Sequence, residues 1–132
     1  MSLMNRLANC KNHYQGKYKR VLCVCSAGLL RSPTAAFVLS QAPFNYNTRA
    51  AGLVPEFALI PVDRVLLEWA DEIVCMERRQ AEELNQRLKD IEKKTPVVCL
   101  DIQDSYAYRE SELQNLIIKA YKLNGNFTES KE

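Results

Sequence analysis

Cys25 and Arg31 stand six positions apart in "CSAGLLR", with Gly28 between them and a serine and a proline following at 32 and 33. A loop of that length can curl into a cup whose backbone N–H groups point inward as the next helix opens. Such a cup cradles a phosphate or an oxyanion. Thiols placed beside a helix N-terminus and a guanidinium ionise with pKa values of roughly 3.5–7.5 instead of about 8.5, so the expected nucleophile is a thiolate. A thiolate facing a phosphate gripped by N–H groups and a bidentate arginine is set for in-line attack on phosphorus. The leaving oxygen then needs a proton donor from another strand end, for which Asp101 and Asp104 are available. C-x5-R alone is a weak signal. Its setting gives it weight: a buried-strand run before it, a Ser-Pro helix opening after it, a glycine within it and no acid near it.

The surrounding elements must hold these groups. "RVLCVC" (20–25) is a β-branched apolar run of the kind a strand buried on both faces shows. "SPTAAFVLSQA" (32–42) predicts a helix with Ser32 as N-cap and Pro33 in its first position. "YNTRAAG" (46–52) predicts a second strand. A helix then opens at Pro61, with Val62, Val65, Leu66 and Trp69 on one face. "DEIVCM" (71–76) reads as a third strand. Ala81, Leu84, Leu88 and Ile91 form a core-facing stripe along "RRQAEELNQRLKDIEKK", supported by Glu83 and Arg87 at i, i+4. "VVCLDI" (97–102) predicts a fourth strand, and the last helix carries Leu113, Leu116, Ile117 and Ala120. Alternating strands and helices imply an α/β fold, a parallel sheet with helices on both faces. Ligands bind such sheets at the carboxyl ends of the strands. The Cys25 loop and the "QDSY" loop both leave carboxyl ends, so they are expected to converge.

Composition sets the outer limits. The 132 residues suffice for one domain with its own core. No apolar run approaches the roughly 20 residues that cross a bilayer. No signal-peptide pattern opens the chain, so the cytoplasm is the expected location and no membrane partner is expected. The five cysteines are odd in number and unclustered, which favours free thiols. Cys23, Cys75 and Cys99 read as core residues. Cys23 and Cys25 form C-x-C, and His13 is the single histidine, so neither a structural metal nor a cofactor is expected. Residues 1–55 hold seven Lys or Arg and no Asp or Glu, a positive field suited to an anion. The basic segment 1–18 is expected to be a flexible extension that either adds to this field or serves solubility. Its charges are not interleaved with stacking aromatics, which argues against a nucleic-acid partner. The expected domain covers 19–125, with a polar tail at 126–132.

"VLCVCSAGLLRSPTA" resembles the phosphate-binding loop of the low-molecular-weight protein tyrosine phosphatases. "RAAG", "WADEIVCMERR" and "CLDIQDSYAY" resemble landmarks of a short bacterial-type branch of that family. The resemblance runs from about Lys19 to Leu123. It implies a three-layer α/β/α fold with a four-stranded parallel sheet, order 2-1-3-4, and a two-step, metal-free phosphoryl transfer. Cys25 would be phosphorylated, Arg31 would hold the phosphate, and the Ser32 hydroxyl would hydrogen-bond the thiolate. Asp104, two residues before Tyr106, fits the family's general acid, with Asp101 in reserve. The loop residues Ser26, Ala27, Gly28, Leu29 and Leu30 would surround the phosphate, and Leu29 and Tyr106 would line the slot for a phenyl ring. The implied partners are a phosphotyrosine protein or a small aryl phosphate, with inorganic phosphate or sulfate able to occupy the loop.

The match is not complete. Ala27-Gly28 stands where the family usually has Gly-Asn, Leu30 replaces a second cysteine found in many members, Ser26 replaces a larger apolar residue and Ser105 replaces proline. "CSAG" also resembles the phosphocysteine carriers of the sugar phosphotransferase system, but those loops lack the arginine. Arsenate reductase shares the scaffold and needs two further cysteines able to approach the first. A binding module for phosphorylated ligands is a further alternative.

Overall fold

The computed structural model describes residues 19–26, 31–54, 60–102 and 110–125. Among them run β1 (Arg20–Cys25), α1 (Arg31–Leu39), β2 (Asn47–Gly52), α2 (Arg64–Trp69), β3 (Glu72–Cys75), α3 (Arg78–Asp90), β4 (Val97–Cys99) and α4 (Glu110–Asn124). The four strands form one sheet in the order β2-β1-β3-β4, with every pairing parallel. This is the parallel α/β architecture that the alternation of elements predicts and the strand order that the family resemblance implies.

β1 is central, and its side chains alternate between two cores. Val21, Cys23 and Cys25 join Ala35, Leu39, Leu113, Ile117 and Tyr121 under α1 and α4. Leu22 and Val24 join Leu66, Leu67, Leu84 and Leu88 under α2 and α3. Burial on both sides explains the unbroken apolar run of β1, since a parallel strand covered on both faces has no solvent side to mark.

Three expectations shift. Ser32 lies inside the first turn of α1 instead of capping it, and it is fully buried. The α2 helix begins later than Pro61, because the Asp63 side chain accepts the Leu66 N–H at 2.9 Å and sets the start there. Its phase then buries Leu66 and Leu67 and leaves Val65 65% exposed, while Trp69 stays half-buried with the Arg49 guanidinium 4.1 Å from its ring centre. On α4, Leu113 and Ile117 are core, but Leu116 is 38% exposed. The predicted Glu83–Arg87 pair forms at 2.6 Å.

Candidate active site

The site grows from the carboxyl end of β1. Leu53 and Val54, just past β2, donate their N–H groups to the carbonyls of Cys25 and Ser26 at 2.9 Å each, so the loop leaves β1 braced by the chain beyond β2. Cys25 is 3% exposed, and its thiol lies 3.2 Å from Ser32 Oγ in a hydrogen bond. The Ser32 hydroxyl donates in turn to the Ala51 carbonyl at 3.4 Å. Sulfur, hydroxyl and β2 backbone thus form one buried chain.

Arg31 opens α1 and is 5% exposed. Burying a guanidinium demands partners, and two are present. Its Nη1 donates to Glu77 Oε2 at 2.9 Å and to the Ile102 carbonyl at 2.9 Å. Glu77 follows β3 and Ile102 follows β4, so one side chain ties the ends of three strands together. Burial by itself pushes the Glu77 carboxyl pKa up, but hydrogen bonds from Arg31 and Arg79 together outweigh that and hold it below its ordinary value. Gln80 completes the frame. Its Oε1 accepts the N–H groups of Met76 and Glu77, and its Nε2 donates to Ser26 Oγ at 3.2 Å, so the first turn of α3 is stitched to the loop.

Of the predicted site residues, Cys25, Ser26, Arg31 and Ser32 are gathered at this strand end. Ala27, Gly28, Leu29, Leu30, Asp104 and Tyr106 lie outside the described residues. Asp101 is exposed, with its backbone in the left-handed region at φ 58°, and no described contact joins it to Cys25 or Arg31. Glu77, Gln80 and the Ile102 carbonyl were missed by sequence reasoning. A signal for Glu77 and Gln80 was present: "ERRQ" directly after a strand has the Glu-x-x-Gln spacing of a helix cap at a carboxyl strand end, where ligand sites gather.

The other thiols are set apart. No disulfide joins any of Cys23, Cys25, Cys75 and Cys99 to another. Cys75 packs in the α2/α3 core, on the opposite side of the sheet from Cys25, and Cys99 packs against the same core as Cys75. Burial, with Cys99 as its register partner, pushes the Cys75 thiol up to about 12. Neither thiol faces Cys25. Among the described residues no group of three or more His, Cys, Asp or Glu is placed to hold a metal ion, and no helix is long and apolar enough to cross a membrane.

A parallel α/β/α sandwich with strand order 2-1-3-4, carrying a cysteine-to-arginine loop after its first strand, defines a recognisable fold class. It is the fold of the low-molecular-weight protein tyrosine phosphatases, the family the loop residues resemble. No protein-family model matches the chain, and a search of curated proteins finds no match. Solved structures do match. Wzb from Vibrio vulnificus, solved with benzylphosphonate, aligns at TM-score 0.61 and 20% identity, covering 80% of this chain and 96% of its own. The tyrosine phosphatase Wzb from Escherichia coli K30, solved with phosphate, aligns at 0.60 and 17% identity over 80% and 95%. The YwlE arginine phosphatase from Geobacillus stearothermophilus aligns at 0.58 and 18% identity over 80% and 87%. At these identities the likeness is one of fold.

Proposed function

We propose that this protein is a cysteine-dependent phosphatase of the cytoplasm that hydrolyses phosphate monoesters, with protein phosphotyrosine as its substrate class. Residues 19–125 make up the catalytic unit. The observation that carries this is the convergence at one strand end of a buried thiol, a serine hydroxyl 3.2 Å from it, and an arginine fixed by Glu77 and the Ile102 carbonyl.

In the first step the Cys25 sulfur attacks phosphorus, the S–P bond forms and the ester P–O bond breaks. The Ser32 hydroxyl, which accepts from the thiol, turns to donate to the sulfur once the thiol proton has passed to solvent, and so stabilises the anion. Arg31 is held through Nη1, which leaves Nε and Nη2 to grip two phosphate oxygens in a bidentate pair. Because the guanidinium is already fixed, little reorganisation is needed as charge develops on those oxygens. Asp104 gives its proton to the leaving oxygen. In the second step Asp104 takes a proton from water, the water attacks phosphorus, the S–P bond breaks and inorganic phosphate leaves with the thiolate restored. Ser26, Ala27, Gly28, Leu29 and Leu30 supply the cup, and Leu29 and Tyr106 flank the phenyl ring.

Hydrolysis of p-nitrophenyl phosphate, a phosphotyrosyl peptide and a phosphoarginyl peptide tests this directly. The expected result is turnover of the first two, abolished by Cys25→Ser and strongly slowed by Asp104→Asn. A stable phosphocysteine with no release of phosphate would replace the phosphatase by a carrier. Preference for the phosphoarginyl peptide would move the substrate class to that of the YwlE neighbour.

A further inference from the structure

We propose that the open groove along the outer edge of β4 binds an extended segment of the substrate protein as an added strand, next to the phosphorylated side chain held at Cys25; this rests on the phosphatase reading above. β4 pairs only with β3 among the described strands. The inner ladder uses the Pro96 carbonyl, bonded by the Ile73 N–H, and the Leu100 N–H, bonded to the Cys75 carbonyl, each at 2.9 Å. In a parallel ladder alternate residues turn both backbone groups the same way, so Val97 and Cys99 direct theirs to the open edge. An exposed edge of this kind is a template for strand addition, and the backbone hydrogen bonds it offers select an extended peptide over a compact ligand.

The flanks of the edge say what that peptide carries. From Cys99 onward, between α3 and α4, the edge opens into a groove of about 680 Å³, with Val97 just outside its lining. Leu116 and Leu123 line it while 38% and 75% exposed, two of the four exposed large hydrophobic side chains among the described residues. Arg78 and Lys119 add two positive charges to the lining, against Asp101 as its acid. Side chains of an added strand alternate between its two faces; α4 offers Leu116, Leu123 and Lys119 and α3 offers Arg78, so the fitting sequence combines apolar and acidic residues.

The groove is also continuous with the site. Ile102, whose carbonyl holds Arg31, lines its upper end, and Arg78 follows Glu77, the other anchor of Arg31. The residues that hold Arg31 therefore border the groove on the β4 side. The opposite edge, on β2, is bridged at Gly52 by Pro61.

The test compares two phosphotyrosyl peptides, one with two flanking residues on each side and one extended on both sides by about six alternating Glu and Ile, a length of roughly 20 Å. The wild type is expected to favour the longer peptide in kcat/KM by about tenfold or more. Leu116→Lys and Lys119→Glu should each remove most of that advantage while leaving kcat/KM for p-nitrophenyl phosphate within about twofold. Equal rates on both peptides in the wild type, or an advantage that survives both variants, would overturn the proposal. Titrating the unphosphorylated long peptide into the protein and following amide NMR shifts separates docking from chemistry. Shifts at Val97 and Cys99 without any ester hydrolysis would uphold the groove and sink the phosphatase reading. Hydrolysis without those shifts would do the reverse. A concentration-dependent dimer in sedimentation, abolished by Leu116→Lys, would assign the edge to a second copy of the chain and also overturn the proposal.

Discussion

Glu77 decides where the guanidinium of Arg31 can sit. It is the charged half of a 2.9 Å pair whose arginine side chain is only 6% exposed, so removing the carboxylate leaves a buried cation with one carbonyl for company. Charged hydrogen bonds of this kind contribute about 1.5–3 kcal/mol. Glu77→Gln is therefore expected to lower kcat/KM for p-nitrophenyl phosphate by roughly ten- to hundredfold, because Arg31 no longer waits in one orientation. The pH dependence follows from the sign of the shift. The native carboxyl is held below its ordinary value of 4.5, so the stability it contributes is complete above 4.5 and is lost as the pH falls through the lower native value. Denaturant titrations of wild type and Glu77→Gln should differ at pH 7 and draw together below 4.5. A difference that stays constant down to pH 3 would mean that the pair contributes nothing.

At the scale of elements, the short α2 depends on a residue distant in the chain. Six residues make a marginal helix, and its end is held by Lys93, whose ammonium donates to the carbonyls of Leu67, Glu68 and Ala70 at 2.7, 2.7 and 2.8 Å. Those three bonds use every hydrogen the ammonium has. Lys93→Met keeps the aliphatic stem and strips the cap. It is expected to destabilise the protein by about 1–3 kcal/mol and to lower Tm by roughly 3–10 °C, read by calorimetry, with kcat retained. Element boundaries were partly legible beforehand. The strands announced themselves through β-branched runs, and α3 through its Leu84 and Leu88 stripe, both residues now buried. The phase of α2 is not legible from Pro61, because the cap that fixes it is the Leu66 N–H donating to the Asp63 side chain.

At the scale of the molecule, a second buried polar cluster closes the end of the sheet away from Cys25. Glu72 at the start of β3 is 1% exposed and accepts from Tyr121 Oη at 2.7 Å, while Lys19 Nζ pairs with it at 3.2 Å. Burial, then the bonds to Tyr46 and Glu72, pushes the Tyr121 phenol far above its ordinary range, so it remains a donor at every working pH. This cluster ties β1, β3 and α4 together at one end as Arg31 ties three strand ends at the other. Tyr121→Phe should cost about 1.5–3 kcal/mol in urea unfolding yet leave kcat and KM unchanged, since about 17–20 Å of strand separates it from the loop. A fall in kcat would show that the two ends are coupled. The sequence by itself determined the α/β class, the positions of the four strands and the pairing of Cys25 with Arg31, because period, apolar runs and loop spacing are local properties of the chain. Only the tertiary structure decided that Glu77, Gln80 and Ile102 hold the site, that Cys75 lies across the sheet from Cys25, and that β4 pairs on one side only among the described strands. Those relations join residues 46 to 71 positions apart, and such contacts are set by how the sheet and helices pack, a matter on which local pattern carries no information.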